Sequence, residues 1–191
     1  MINKQERAPL MEALSAFAEQ KPLSFHVPGH KNGQIFHKQG KDLFQRLLRI
    51  DATEVEGLDD LHAPEGAIQE AEQLLSEVYN TQKSYFLVNG TTCGNLAMIL
   101  GNCQEGDIVL VQRNCHKSIL NGLRLAKAKP VFLRNELNEE WEVAEGLSVH
   151  TVKKALERYS GAKALILTYP TYYGVANDIE EIIAVAHEHK V

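Results

Sequence analysis

The sequence predicts an α/β fold, in which a mostly parallel sheet is covered by helices and preceded by an N-terminal arm. Short runs that are apolar at nearly every position alternate with helical segments, which favours a parallel sheet. Such runs are typical of strands buried on both faces. Residues 1–64 are instead irregular and polar outside their short helices. We therefore expect an arm over residues 1–64 and the first part of a larger α/β domain over residues 65–191.

The expected arm consists of two short helices joined by loops. Residues 9–18 have a helical pattern, and apolar residues recur at helical spacing over residues 43–50. Residues 25–33 read FHVPGHKNG, and their Pro and Gly residues predict a loop. Residues 53–64, TEVEGLDDLHAP, are irregular and polar as well. These segments predict an arm that wraps over another surface and builds no core of its own.

The pattern changes at Pro64. Apolar residues at helical spacing predict a helix that reaches residue 78, and Pro64 suits its first turn. We predict strands at residues 85–88, 108–111, 131–133 and 164–168, and helices at residues 94–103, 117–127, 149–158 and 179–189. Another strand should follow the last helix in this alternation, so we expect the domain to be truncated after Val191.

Composition and charge exclude several classes of function. The 20 Lys and Arg residues against 25 Asp and Glu give a net charge of −5, with no basic block for nucleic acid. The apolar runs are too short to span a bilayer, and the first residues lack the apolar core of a signal peptide. The 3 cysteines form no CxxC pair, which argues against disulfides and structural zinc. We expect a cytoplasmic protein with reduced thiols.

Residues 89–94, NGTTCG, lie between a predicted strand and a predicted helix. Ligands of open α/β sheets bind beyond the carboxyl ends of strands, where a helix N-terminus offers free N–H donors. Gly90 allows close approach of the backbone, and the hydroxyls of Thr91 and Thr92 add donors, so the segment suits a phosphate. It has neither a Walker loop nor GxGxxG, which argues against ATP and dinucleotides. An ordinary helix cap explains the same residues.

Residues 113–118, RNCHKS, follow the next predicted strand and should open at the same edge of the sheet. A neutral imidazole of His116 at that edge could lie flat against a planar ligand, although a lone histidine is also common as a surface or structural residue. Cys115 stands beside His116, but nothing marks a partnered triad, so thiol catalysis is not predicted.

Five segments together resemble one family. In order they are FHVPGHKNG at residues 25–33, GLDDLH at 57–62, LVNGTT at 87–92, RNCHKS at 113–118 and PTYYG at 170–174. The sequence is similar to the Orn/Lys/Arg decarboxylases, which are pyridoxal 5'-phosphate (PLP) enzymes of fold type I, over essentially its whole length. The resemblance implies the first part of a PLP-binding large domain, and decarboxylation of lysine, arginine or ornithine to a diamine or agmatine plus CO₂. It also implies a homodimer or larger assembly, with no nucleic acid or membrane partner.

The resemblance implies roles for particular residues. Thr91, Thr92 and the backbone N–H of Cys93 would hold the PLP phosphate. His116 would stack on the pyridine ring, and Thr171 would lie near the hydroxyl side of the cofactor. The segments FHVPGHKNG and GLDDLH would contribute to the mouth of the active site or to the dimer contact. These positions are the predicted cofactor site.

The resemblance also implies that the catalytic residues lie elsewhere. The family's ring-nitrogen aspartate and its Schiff-base lysine, in segments resembling DEAHG and Ser-x-His-Lys, are expected beyond Val191. We assign the Schiff base to none of the His-Lys pairs at residues 30–31, 116–117 and 189–190, so the 191 residues alone are expected to be inactive. Another fold type I reaction, by an aminotransferase or lyase, and a non-catalytic remnant remain as alternatives.

A metal site is not predicted. His26 and His30 are four residues apart, a spacing that places two ligands on one face of a helix. Pro28 and Gly29 lie between them and argue against a helix at this point.

Overall fold

A computed structural model describes residues 3–176 and 178–191, and the chain divides into two compact units, Met1–Phe86 and Leu87–Val191. We call them the N-terminal unit and the C-terminal unit. The helix that begins the expected large domain packs within the N-terminal unit. The division expected at residues 64 and 65 concerns the domain organisation of the complete protein and stays a prediction.

The N-terminal unit consists of helices and loops. A short 3-10 helix at Lys4–Glu6 is followed by α1 (Pro9–Glu19), α2 (Lys38–Leu48) and α3 (Ala67–Tyr79). Helix α1 packs on α3. The helices predicted over residues 9–18 and 43–50 are confirmed in their main parts, and residues 25–33 and 53–64 form turns and loops as expected.

Helix α3 begins three residues later than Pro64, so the prediction that Pro64 lies in its first turn was wrong. The carboxylate of Asp59 accepts hydrogen bonds from the backbone N–H groups of residues 65, 66, 68 and 69. These bonds satisfy donors of the first turn, which have no partner within the helix. The position of the Asp59 carboxylate therefore determines where the first turn of α3 forms.

The C-terminal unit contains four helices and five strands among its described residues. In order they are α4 (Gly90–Asn102), β1 (Ile108–Gln112), α5 (Lys117–Leu125), β2 (Lys129–Leu133), β3 (Leu137–Asn138), β4 (Val143–Ala144), α6 (Val149–Arg158), β5 (Ala162–Ile166) and α7 (Ile179–Glu188). Strands β2, β1 and β5 form a parallel sheet in that order, with Ile108 opposite Lys129 and Ala162. Strands β3 and β4 form an antiparallel pair that the sequence did not predict.

Apolar side chains cover both faces of the parallel sheet. Val109 and Val111 of β1 pack in one buried cluster with residues of α4 and α5, including Ile99 and Leu123. Leu110 points to the opposite face, where its cluster includes side chains of α6 and α7. Because successive residues of a strand face opposite sides, β1 contributes to both clusters, and the predicted α/β layers are confirmed.

The strand predicted at residues 85–88 was wrong. Residues 85–87 form no regular element and Val88 lies in a turn, and none of the four pairs with a strand in the described part of the chain. Tyr85, Leu87 and Val88 are exposed. The N–H of Phe86, which a sheet would use, donates instead to the carboxylate of Glu72 at 3.2 Å. An apolar run becomes a strand only where a neighbour accepts its backbone hydrogen bonds, and the run itself does not encode that neighbour.

Candidate functional site

The N-terminus of α4 has free hydrogen-bond donors. Asn89 and Gly90 have φ angles of 67° and 68°, in the left-handed region that Asn and Gly tolerate best. The side chain of Asn89 accepts none of the N–H groups of the first turn. The other three helices described in the C-terminal unit begin with side chains that do accept such groups, namely His116, Ser148 and Asp178. The start of α4 therefore keeps its donors and its partial positive charge for an anion.

Thr91, Thr92 and Cys93 lie in this first turn, and all three are exposed. The sequence predicted them as a loop before a helix that begins at residue 94, and that boundary was wrong by four residues. The left-handed pair before Thr91 turns the chain directly into the helix. The two hydroxyls thus stand at the end of α4 that carries the free N–H groups.

His116 is the N-cap of α5. Its Nδ1 accepts the backbone N–H of Ser118 at 3.2 Å and lies 2.8 Å from the Ser118 hydroxyl oxygen. His116 is exposed, so part of the residue is open to a ligand. Its position follows from β1, because the chain leaves the carboxyl end of that strand only four residues earlier.

Helices α4 and α5 run parallel, side by side. The side-chain amide of Asn95 donates to the hydroxyl of Ser118 at 2.7 Å. One turn later in both helices, a Cβ atom on Gly122 would lie 2.7 Å from the Cδ1 atom of Ile99, so the backbones approach closely there. Two contacts with the same spacing along both helices require a parallel arrangement. The structure therefore brings the first turn of α4 and the ring of His116 to the same edge of the sheet.

A network of buried and half-buried amides joins the ends of the three parallel strands. Gln112, 2% exposed at the end of β1, accepts the N–H of Thr168 at 3.1 Å and donates to Asn114 at 2.8 Å. Asn114 also accepts from the side chain of Asn135, which follows β2, at 3.0 Å. Sequence reasoning missed Gln112, although a polar residue that closes the apolar run IVLV was a visible signal.

Thr171 is buried, at 5% exposure. Its hydroxyl accepts the N–H of Val175 at 3.2 Å, and its own N–H donates to the carbonyl of Val175 at 2.9 Å. These bonds close the turn over residues 171–175. The structure therefore gives Thr171 a role in the loop that follows β5, and its contact with a cofactor stays a prediction.

The thiol beside His116 is poorly suited to nucleophilic catalysis. Burial raises the pKa of Cys115 above its ordinary value, although the charge of Arg113 acts in the opposite direction. Burial likewise raises the pKa of Cys103, which lies in the apolar cluster formed with residues of α4 and α5. A thiol becomes a nucleophile as the thiolate, so raised pKa values argue against such a role.

Neither a metal centre nor a membrane span is found in residues 3–176 and 178–191. No group of three or more His, Cys, Asp or Glu side chains is arranged to hold a metal ion. Nor is any helix in these residues both long and apolar enough to cross a bilayer. His30, one of the two histidines with metal-like spacing, contacts Asp51 at 3.1 Å and accepts the N–H of Gly33.

The sequence of the chain matches a known family. The sequence profile described as "Orn/Lys/Arg decarboxylase, major domain" matches residues 8–191. The chain belongs to this family. The resemblance of the five sequence segments is thereby confirmed, and so is the predicted fold class.

Individual proteins are also similar to the chain in sequence or in fold. The chain is 50% identical over 183 residues to the protein YaaO of Bacillus subtilis (strain 168), and these residues make up 96% of the chain. It is 36% identical over 188 residues, 98% of the chain, to an arginine decarboxylase of Bacillus anthracis. The chain spans 38% of the length of each of these two relatives. The crystal structure of the Francisella novicida lysine decarboxylase LdcF has the same fold, with a TM-score of 0.75, 24% identity, and coverage of 93% of this chain and 27% of that one.

Proposed function

We propose that this chain forms the phosphate-binding end and one ring-covering face of the PLP site in a decarboxylase of basic amino acids. The observation that carries the proposal is the adjacency of the free N-terminus of α4 and the exposed ring of His116, linked through Asn95 and Ser118. Family membership supplies the reaction class.

The residues present fit PLP, which combines a phosphate with a flat pyridine ring. Unsatisfied N–H groups at a helix N-terminus bind anions, and the exposed hydroxyls of Thr91 and Thr92 add two donors. Gly90 has nothing within 4 Å of the position of a Cβ atom, so the backbone is open to a ligand. The exposed imidazole of His116 can lie against the ring.

Each of these residues has a defined task in the proposed site. Thr91, Thr92 and the N–H of Cys93 hold the phosphate and so fix one end of the cofactor. His116 covers one face of the ring and fixes its plane, while Thr171 supports the loop on the cofactor's hydroxyl side. When bound, PLP supplies an electron sink for the electrons left behind as the carboxylate departs.

The proposed substrates are arginine, lysine and ornithine, with a diamine or agmatine and CO₂ as products. Relatives named arginine decarboxylase and ornithine decarboxylase support this range. We propose that the 191 residues alone release no CO₂, because the family resemblance assigns the Schiff base to a Ser-x-His-Lys lysine and to none of the His-Lys pairs present. For Lys31 this proposal is supported by its hydrogen bond to the carbonyl of His26 at 2.7 Å. Release of CO₂ from any of the three amino acids by the purified chain would contradict that statement.

The complete protein is proposed to be a cytoplasmic homodimer or larger assembly. Support comes from the segment FHVPGHKNG, where Phe25 and Val27 are 92% and 67% exposed. Apolar side chains exposed together are typical of surfaces that another chain covers.

The proposed site can be tested by titrating the chain with inorganic phosphate and with PLP while its backbone amide NMR signals are recorded. Both ligands should shift the amides of Thr91, Thr92 and Cys93, and PLP should also shift the ring signals of His116. The first turns of α6 and α7, whose donors are taken by Ser148 and Asp178, serve as internal controls.

Thr92→Val should weaken binding of either ligand about tenfold, the effect of one hydrogen bond to a charged group. Thr81→Val, which alters an exposed threonine of the N-terminal unit, should leave the affinity unchanged. Equal shifts at the starts of α4, α6 and α7 would contradict the proposal, as would a phosphate response without any PLP response at His116.

A further inference from the structure

Ser118 connects His116 to the neighbouring helix. Its side chain is 2% exposed, which is unusual for a hydroxyl unless its hydrogen bonds are satisfied. The hydroxyl oxygen lies 2.7 Å from the amide nitrogen of Asn95 in α4 and 2.8 Å from Nδ1 of His116. Three side chains on two helices thus form one continuous chain of hydrogen bonds.

The direction of this chain follows from its donors. The backbone N–H of Ser118 points at Nδ1 of His116, and a backbone N–H can only donate, so Nδ1 must be the acceptor. A neutral imidazole with an accepting Nδ1 carries its proton on Nε2. The amide nitrogen of Asn95 also can only donate, so the Ser118 oxygen accepts from it. The single hydroxyl hydrogen of Ser118 is then free to point at Nδ1.

We infer that Asn95 and Ser118 are positioning residues that hold His116 as its Nε2–H tautomer, with the plane of the ring fixed beside the first turn of α4. Nε2 of the neutral ring is then a hydrogen-bond donor and cannot accept a proton. The ring is therefore arranged to cover a flat ligand and to donate at its edge, not to act as a base there. Its task toward the PLP ring rests on the proposed function, whereas the tautomer does not.

Capping of α5 does not require this whole arrangement. A cap needs only the bond from the Ser118 N–H to Nδ1, as in α6, where Ser148 accepts the N–H of Thr151. The hydroxyl of Ser118 and the amide of Asn95 add a tie between the imidazole and α4. That tie couples the orientation of the ring to the helix whose N-terminus is free.

The tautomer is measured from the ring ¹⁵N signals of His116 in the full chain without cofactor, at about pH 9, where histidine is neutral. The wild type should show the Nε2–H form alone. The carboxylate introduced by Asn95→Asp accepts a hydrogen bond from the Ser118 hydroxyl. The hydroxyl hydrogen then points away from Nδ1, and a lone pair of the oxygen faces Nδ1 instead. The backbone N–H of Ser118 still faces Nδ1 in both variants and opposes the change. Nδ1–H should nevertheless become populated in Asn95→Asp, where an acceptor faces Nδ1, and to a smaller extent in Ser118→Ala, which only removes the hydroxyl donor.

Asn102→Asp is the matched control, because it makes the same change at the other end of α4, where the amide of Asn102 donates to the carbonyl of Met98. It should leave the tautomer of His116 as in the wild type. An Nδ1–H form in the wild type would overturn the inference, and so would an unchanged tautomer in both Asn95→Asp and Ser118→Ala. A change of equal size in Asn102→Asp would overturn it as well, since the effect would then be one of charge alone.

PLP titration separates this inference from the proposed function. If both hold, Ser118→Ala should bind PLP about three- to tenfold more weakly, because a freed ring must be ordered on binding, while its affinity for inorganic phosphate is unchanged. If the wild type binds no PLP but shows the Nε2–H tautomer, the proposed function fails and the positioning of His116 stands. Equal loss of phosphate and PLP affinity would show that Ser118 acts on α4 and not through the ring.

Discussion

The C-terminal unit buries apolar side chains on both faces of a sheet, whereas the described residues of the N-terminal unit bury only two large apolar side chains, Phe17 and Leu74. Several large apolar side chains of the N-terminal unit are instead exposed, Leu23, Phe25 and Leu43 among them. Since burial of apolar area is the main favourable contribution to folding, the two units must depend on different interactions.

Polar contacts hold much of the N-terminal unit together. The carboxylate of Asp59 accepts five backbone N–H groups, those of residues 60, 65, 66, 68 and 69. Arg7 pairs with Glu12 and with Glu70, so it links α1 to α3. Contacts of this kind respond to pH and salt, while an apolar core responds mainly to changes of volume. The difference suggests substitutions that should act on one unit and spare the other.

The largest effect is expected from Leu123→Ala in the C-terminal unit. Leu123 is 1% exposed and packs with Ile99, Val109 and Val111, so its truncation removes apolar contacts and leaves a cavity. Loss of a buried leucine costs about 2–5 kcal/mol of unfolding free energy. Urea unfolding followed by circular dichroism measures this loss.

Leu125→Ala is the control for this substitution, because Leu125 lies on the same helix and is 62% exposed. It should change the unfolding free energy by less than about 0.5 kcal/mol. Hydrogen exchange at the amides of α1 and α3 should be the same in both variants. Faster exchange in α1 and α3 of Leu123→Ala would show that the two units unfold together, and the comparison would no longer hold.

A smaller effect, confined to the N-terminal unit, is expected from Asp59→Asn. Asparagine keeps one accepting oxygen, but its NH₂ group can only donate, so the N–H groups bound to one of the two Asp59 oxygens lose their acceptor. We expect a loss of about 1–3 kcal/mol at neutral pH. Hydrogen exchange in α3 should accelerate while the amides of β1 are unaffected. Asp60→Asn is the control, since the carboxylate of Asp60 accepts the N–H of His62, which lies outside the first turn of α3.

The contribution of Asp59 should also depend on pH. Partial burial would raise the pKa of Asp59, but the backbone N–H groups that it accepts lower it from 3.8 to about 2. Because the folded state has the lower pKa, the unfolded chain takes up the proton first as the pH falls. The stabilisation is therefore present above about pH 4 and is lost as the pH approaches about 2. The wild type should approach the stability of Asp59→Asn over that range, and a constant difference between the two would be inconsistent with this pKa.

The sequence predicted the α/β layers because burial on both faces leaves a direct trace in the order of residues. The strands around Leu110, Val131 and Leu165 are apolar nearly throughout, and the helices between them have regular spacing. It also predicted that residues 91–92 and His116 lie at one edge of the sheet. That prediction relied on a strand ending at residue 88, and this strand does not form. The two positions lie at one edge because α4 packs parallel to α5.

Features that depend on distant partners could not be predicted. Asp59 was visible within the segment GLDDLH, but its five hydrogen bonds depend on the path of the chain over the next ten residues. The contact of Asn95 with Ser118 joins residues that are 23 positions apart. Local patterns record which face of an element is buried, while the partner of a polar side chain follows only from the packed structure.

The smallest effect is expected from Arg7→Met, which keeps an apolar stem and removes both ion pairs of Arg7. The hydrogen bond to Arg7 lowers the pKa of Glu12, which shows that the charges interact, but both side chains are about half exposed. Exposed pairs contribute little, so the variant should be less destabilised than Asp59→Asn at low salt. About 1 M NaCl should remove the remaining difference from the wild type, since it shortens the screening length to about 3 Å.

Lys127→Met, which removes a similarly exposed pair with Glu105 from the C-terminal unit, should have no measurable effect on thermal unfolding, because the apolar clusters dominate there. A larger effect in Lys127→Met than in Arg7→Met would reverse the assignment of polar stabilisation to the N-terminal unit.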